Sequence, residues 1–251
     1  MTLAGLVIQS HTTPLPQAWL ADCAHSVQSW AQGNALEYRW LDDEIFLLMD
    51  PILREKFGQR RVIASDLARL LALRQALEQG YDPVIWADCD FHIFAPQHFT
   101  LPRQSYAVGR EVWIQQDPKG RLKAYRRVHN AFLLFRANNA FLDFYIETAT
   151  RLLQRVTGPV PPQFIGPKLL AALDNICQLP VMENAAMISP LVLRDIAGES
   201  GPALDLFIST STWVPAGANL CASLVGDGSE DNALVATALE HLTGGLLAEV
   251  K

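Results

Sequence analysis

The chain has 251 residues, half of them hydrophobic, with 18% charged and a formal net charge of −6. That composition excludes a disordered chain and supplies enough apolar side chains for a sizeable core. The acidic balance argues against a general nucleic-acid binder, which carries a basic footprint, but not against one anionic ligand held through a cation.

"GLVIQS" is short, apolar and β-branched, and predicts a buried strand. "HTTPLPQ" breaks it. From Ala18 to Gln32, the apolar residues Trp19, Leu20, Cys23, Val27 and Trp30 recur at three- and four-residue steps and predict a helix. "LEYRWL" predicts a second strand, with "DDE" as a polar turn or helix start. "SDLARLLALRQALEQG" predicts a helix with Ser65 as N-cap, Asp66 in the first turn and Gly80 as the stop. "DPVIWADCDFHIF" predicts a strand running into Asp88 and Asp90. The alternation of strand and helix indicates an α/β sheet with parallel pairings. Beyond it, "SYAVGREVWIQ" and "VHNAFLLFR" read as strands around the turn "QDPKG". "AFLDFYIETATRLLQRV" and "GPKLLAALDNI" read as helices, "VMENAAMISPLVL" as mixed and "STWVPAGANLCAS" as a loop. A helix over about 231–242 ends the chain. With no repeat and no long linker, one domain over residues 1–251 is expected.

The four cysteines show no C-x-x-C spacing, so neither a zinc knuckle nor a redox dithiol is indicated. Their wide spacing suits reduced thiols. "MTLAGLVIQS" lacks the basic and long apolar regions of a signal peptide, and no run approaches the length of a membrane span. A soluble cytoplasmic protein is expected, compatible with peripheral membrane contact.

Residues two apart on a strand share a face, so Asp88 and Asp90 would project together from the strand's C-terminal end, where open α/β sheets bind ligands. Two neighbouring carboxylates repel unless a proton or cation lies between them. Mn²⁺ or Mg²⁺ suits such oxygen ligands. The plainer alternative is a turn of solvated aspartates. Asp66 and Arg69 share a helix face, either as a surface ion pair or as a pair that holds hydroxyls or phosphates. The histidines show no metal spacing. His92 reads as an ordinary strand histidine, and His129 as a residue near the pocket. Trp19, Trp30, Trp40 and Trp86 read as core, Trp213 as a stacking candidate in a Pro/Gly loop, and Arg126 and Arg127 as solvated. No P-loop, G-x-S-x-G or G-x-G-x-x-G pattern occurs.

"VIASDLARLLALRQALEQGYDPVIWADCDFHIF" resembles the sugar-binding region of DXD-containing glycosyltransferases. These include capsular-polysaccharide and mannosyl-type sugar transferases, with the clostridial glucosylating toxins as distant relatives. Ser65-Asp66-Leu67-Ala68-Arg69 is similar to the family's helix motif and Asp88-Cys89-Asp90 to its D-x-D. The opening "VIQSHTTPLPQAWLADCAHSVQSWAQGNALEYRWLDDE", the strand "HNAFLLFR" and "IGPKLLAAL" extend the resemblance over about residues 5–175. The connection "EQGYDP" is longer than the family's.

The resemblance implies a GT-A fold, a mixed Rossmann-like sheet flanked by helices. About residues 1–100 would form the nucleotide-sugar half and 101–251 the acceptor side. It implies a UDP- or GDP-sugar donor, a divalent metal and transfer with retention to a carbohydrate, lipid-linked or protein acceptor. Asp88 and Asp90 would bind the metal, and Asp88 would also contact the donor. Asp66 and Arg69 would hold sugar hydroxyls, Gln9 and Ser10 would lie near the nucleoside, and Asn130 near the sugar or acceptor. Gly166 and Pro167 would shape the pocket wall. In "STWVPAGANLCAS", Trp213, Asn219 and Ser223 are present but no histidine, so the family's C-terminal ligand has no assigned counterpart. Two other readings compete: a sugar-nucleotide binder without turnover, and an aspartyl phosphatase of the D-x-D type. The phosphatase reading ranks lower because its motif normally stands on the first strand.

Overall fold

The computed structural model describes residues 3–226 and 228–247. In chain order the elements are β1 (Leu6–Ser10), α1 (Ala18–Gly33), β2 (Glu37–Leu41), a 3-10 turn (Asp43–Leu48), α2 (Pro51–Phe57) and α3 (Arg61–Glu78). Then come β3 (Val84–Ala87), β4 (Phe91–Ile93), β5 (Tyr106–Gln116), β6 (Leu122–Phe135), α4 (Ala140–Arg155) and α5 (Pro167–Cys177). The chain continues through β7 (Val181–Met182), β8 (Ala185–Met187), α6 (Pro190–Ala197), α7 (Pro202–Thr210), β9 (Gly217–Asn219) and α8 (Ser229–Thr243).

The main sheet has the order β2-β1-β3-β6-β5-β7. β1 pairs in parallel with β2 and β3, as the strand–helix alternation predicts, and β6 then joins β3 antiparallel. The result is a mixed sheet flanked by helices, the fold class expected. β1 and β3 are buried on both faces, which explains their unbroken apolar sequence. One face packs on α2, α3, α4 and α5 through a core that includes Leu67, Leu73, Trp86 and Phe135. The other packs on α1 through Val27, Trp30, Phe91 and Phe132. A second sheet, β4-β9-β8, lies with α1, α6, α7 and α8 around a further core.

Three expectations need correction. α3 starts at Arg61, not at Ser65. Ile63 and Ala64 fit the same apolar stripe and are buried, so the helix gains by extending backwards. Ser65 therefore caps nothing; its carbonyl accepts from Arg69 Nε at 3.3 Å. Asp66 sits beyond the first turn, inside the helix. The strand through the D-x-D motif is two strands: β3 ends at Ala87, and Phe91–Ile93 crosses into the small sheet. The segment read as a loop contains β9, whose Gly-Ala-Asn sequence carries no strand preference and is held by pairing on both sides with β4 and β8.

α2 also follows an unread signal. Asp50 accepts from Ile52 N and Leu53 N, ahead of Pro51 at the first helical position. Among the described residues, no helix is long and apolar enough to cross a membrane. The four cysteines are free thiols, with Cys177 exposed and the others buried.

Candidate active site

The end of β3 delivers Asp88 to the rim of the main sheet. Its N–H donates to Ala131 O at 2.8 Å, and its carbonyl accepts from Gln9 Nε2 at 3.0 Å. The carboxylate is oriented from two sides. Trp86 Nε1 donates to Oδ1 at 2.7 Å, and Arg69 Nη1 lies 3.0 Å from the same oxygen. Oδ2 accepts from none of the described side chains.

Arg69 is the hub. It is 7% exposed, yet its guanidinium reaches the carbonyls of Ser65 and Asn130, the latter at 2.9 Å, and the carboxylates of Asp66 and Asp88. Trp86 covers it, with 5.2 Å from the guanidinium carbon to the ring centroid. A buried arginine needs this many partners, because each unpaired donor would cost desolvation. Asp66, 3% exposed, accepts from Asn130 Nδ2 at 2.7 Å and lies 3.3 Å from Arg69 Nη2, both through Oδ1. Its Oδ2 is buried with no partner. Burial pushes the Asp66 carboxyl up to about 6 against the opposing pull of Arg69 and Asn130.

Asp90 is anchored elsewhere. Its carboxylate accepts from Asn219 Nδ2 and, at 2.7 Å, from the Ala222 N–H; its carbonyl accepts from Leu220 N at 3.0 Å. Burial and the neighbouring Asp88 charge both raise its proton affinity. Asn219 is itself oriented by the Cys221 N–H, which donates to its Oδ1 at 2.9 Å.

Two cavities meet at this pair. A smaller one, about 330 Å³, includes Ser10, Phe46, Arg61 and Trp86 in its walls. A larger one, about 590 Å³, includes Asp66, Glu111, Asn130, Pro167 and Asn219. Val62, Arg69, Asp88, Asp90 and Ser223 line both. Asp88 and Asp90 are thus brought together, although by a turn between two sheets and not by strand alternation.

Other expected residues lie elsewhere. Gln9 is fully buried and lines neither cavity. It bridges Tyr38 OH to the Asp88 carbonyl, so it positions the loop and cannot meet a nucleoside. Trp213 is 61% exposed in a shallow crevice with Ile208, Pro215 and Leu247, and lines neither cavity. His129 is buried; its Nδ1 accepts from Ala131 N, leaving Nε2–H to donate to Ala185 O, which pins β8 to β6. His92 Nε2 meets Thr243 Oγ1 on α8. Burial lowers both imidazoles to about 4. Arg127 is exposed, as read, at the open wall of the larger cavity.

Gly166 lines no cavity surface but backs the site. A Cβ there would lie 2.7 Å from Asn130 Nδ2 and closer still to Asp66 Oδ2. The residue is buried, and the demand there is for space. Gly166→Ala should cost about 1–3 kcal/mol in urea unfolding; an unchanged midpoint would show that the cradle is slack.

Among the described residues, no three His, Cys, Asp or Glu side chains converge as a metal cage. The pair nevertheless suits a cation of the Mg²⁺ or Mn²⁺ kind. Such ions often take one or two carboxylates and complete their shell with waters and substrate phosphates. The mutual repulsion of Asp88 and Asp90 and the unengaged Asp88 Oδ2 provide for that.

The site is therefore an acidic pair braced by a buried arginine, at the junction of two cavities on a mixed α/β sheet. No family model and no curated sequence matches the chain. Among solved structures it is similar to a glycosyltransferase involved in the glycosylation of the major capsid of PBCV-1. The identity is 11%, the TM-score 0.49 and the coverage 92% of this chain and 98% of that one. It is also similar to 4-diphosphocytidyl-2C-methyl-D-erythritol synthase from Anaerococcus prevotii, at 7% identity, TM-score 0.39 and 95% and 99% coverage. Likeness at this level says nothing of substrate, which rests on the side chains themselves.

Proposed function

We propose that the chain is a metal-dependent glycosyltransferase that moves a sugar from a UDP- or GDP-sugar to an acceptor. The observation that carries this reading is the junction of two cavities at Asp88 and Asp90, with Asp66, Arg69 and Asn130 on its wall. The smaller cavity takes the nucleotide, with Ser10 at the end of β1. The larger takes the donor sugar and the acceptor. The first hundred residues supply most of the smaller cavity, and Ala222 and Ser223 complete it. Asp88 and Asp90 would hold the metal, which supplies positive charge to the departing diphosphate.

The protein's own residues do the remaining work. Asp66 lines the larger cavity, where its carboxylate accepts from a sugar hydroxyl. Arg69 keeps Asp66 and Asp88 in place, so the site is oriented before the donor arrives. Asn130 fixes Asp66 from the other side. The phosphatase reading fits less well, because Asp88 follows β3 and not the first strand, where that motif normally stands. One feature favours a binder without turnover: Asp90 already accepts from two protein donors.

The test is a melting-temperature screen with UDP, GDP and their hexose conjugates, with and without Mn²⁺. A bound ligand stabilises the native state by mass action, by about 2.7 kcal/mol at a hundredfold excess over Kd. A Mn²⁺-dependent rise with one nucleotide, lost in Asp90→Ala, is the expected result. No rise with any of them would sink the proposal. Release of the free nucleoside diphosphate then separates an enzyme from a binder.

A further inference from the structure

β5 alternates sharply past a bulge at Val108/Gly109. Val112 and Ile114 point into the core of the small-sheet side. Glu111, Trp113 and Gln115, on the opposite face, all line the larger cavity. Arg127 stands directly across from Glu111 on β6 and lines the same cavity. Glu111 is 9% exposed, yet it has no hydrogen bond or ion pair among the described residues. The other buried carboxylates of the site, Asp66 and Asp90, are both engaged.

Glutamates are rarely buried unpaired, so one turned toward open space is suited to a donor brought by a ligand. Trp113 beside it offers an apolar ring face with polar neighbours, the Gln115 and Gln163 amides and the cations Arg127 and Lys168. A carboxylate, an indole and amides along one strand match the alternating hydroxyl and C–H surfaces of a sugar.

We propose that the Glu111–Trp113–Gln115 face of β5 is the acceptor subsite, that its acceptor is a carbohydrate, and that Glu111 takes the proton of the attacking hydroxyl. This rests on the transferase reading above. The acceptor oxygen bonds to the anomeric carbon. The bond from that carbon to the diphosphate oxygen breaks, its electron pair leaving with the diphosphate. The hydroxyl proton passes to a Glu111 carboxylate oxygen. The titratable groups that face Glu111 are Arg127 and the Cys221 thiol, which feels its charge. Burial, opposed by Arg127, pushes the Glu111 carboxyl up to about 7, where a base works best near neutral pH.

The experiment compares wild type, Glu111→Gln and Trp113→Ala. UDP-glucose, UDP-galactose and GDP-mannose serve as donors with Mn²⁺, and the benzyl glycosides of glucose, galactose, mannose and N-acetylglucosamine as acceptors. Donor binding is read as a melting shift, and transfer as glycoside product. Glu111→Gln should keep the donor shift but lose at least about 100-fold in transfer. Wild-type transfer should rise as pH passes about 7, a dependence the variant lacks. Trp113→Ala should raise the glycoside KM about tenfold or more with kcat little changed. Transfer by Glu111→Gln within threefold of wild type would overturn the assignment. So would a wild-type donor shift with no transfer to any glycoside. Absence of a donor shift in all three proteins would instead remove the transferase reading itself, and this inference with it.

Discussion

Arg69→Met is expected to lower the free energy of unfolding by about 3–5 kcal/mol, read from urea midpoints at constant m. The guanidinium is buried between Asp66 and Asp88, and it also serves the carbonyls of Ser65 and Asn130. Methionine fills much of its volume but leaves two carboxylates facing each other and removes the donor that the Asn130 carbonyl receives from the guanidinium. Protonation of Asp66 limits the loss, so the deficit should grow with pH. Arg69→Lys should rescue little, because the four partners use the whole planar fork and an ammonium cannot span them. A control is available on α4. Arg151 pairs with Glu147 on a face where both side chains are mostly exposed, and Arg151→Ala should change stability by less than about 1 kcal/mol. If Arg69→Met costs no more than this control, Arg69 is not the brace of the site.

Asp66→Asn is expected to act in the opposite direction on stability. An unfolded aspartate titrates at about 3.9, whereas the buried Asp66 titrates at about 6. Between these values the native state binds more protons than the unfolded state, so stability falls as pH rises. The contribution is fully present below about 3.9 and lost as pH passes 6. Two units correspond to about 3 kcal/mol. Asparagine keeps an acceptor for Asn130 and Arg69 but carries no charge. The variant should therefore equal wild type near pH 4 and exceed its stability at pH 8 by up to about 3 kcal/mol, while failing to bind donor. Parallel stability–pH curves for the two proteins would refute this. The expected exchange of stability for a charged, half-satisfied group is typical of functional sites.

Much of the first half of the fold could be read from periodicity alone. β1, α1, β2 and β3 carry unambiguous apolar patterns, and Gly80, with φ of +97°, stops α3 as its position suggests. What escaped depended on contacts distant in sequence. Phe91-His92-Ile93 continues the apolar run of β3, and nothing local reveals that it changes sheets. Asn219 meets Asp90 across 129 positions, from a strand with no strand-forming residues. Residue type misled at two places. Gln9 looked available to a ligand but spends both ends of its amide inside the protein. Trp213 looked like a stacking platform, yet it sits away from both cavities. The Glu111–Trp113–Gln115 stripe is hidden in "GREVWIQQ" by the apolar run Val112-Trp113-Ile114. Its meaning appears only once Val112 and Ile114 are known to face a core.

The turn between β3 and β4 has a mechanical consequence. Asp88 is tethered to the main sheet through Ala131 and Gln9, whereas Asp90 is tethered to the small sheet through Asn219, Leu220 and Ala222. The two carboxylates are the jaws of a caliper whose arms are the two sheets. Any sliding of one sheet against the other changes the gap between the jaws. A cation gripped there would clasp the two sheets together at their junction.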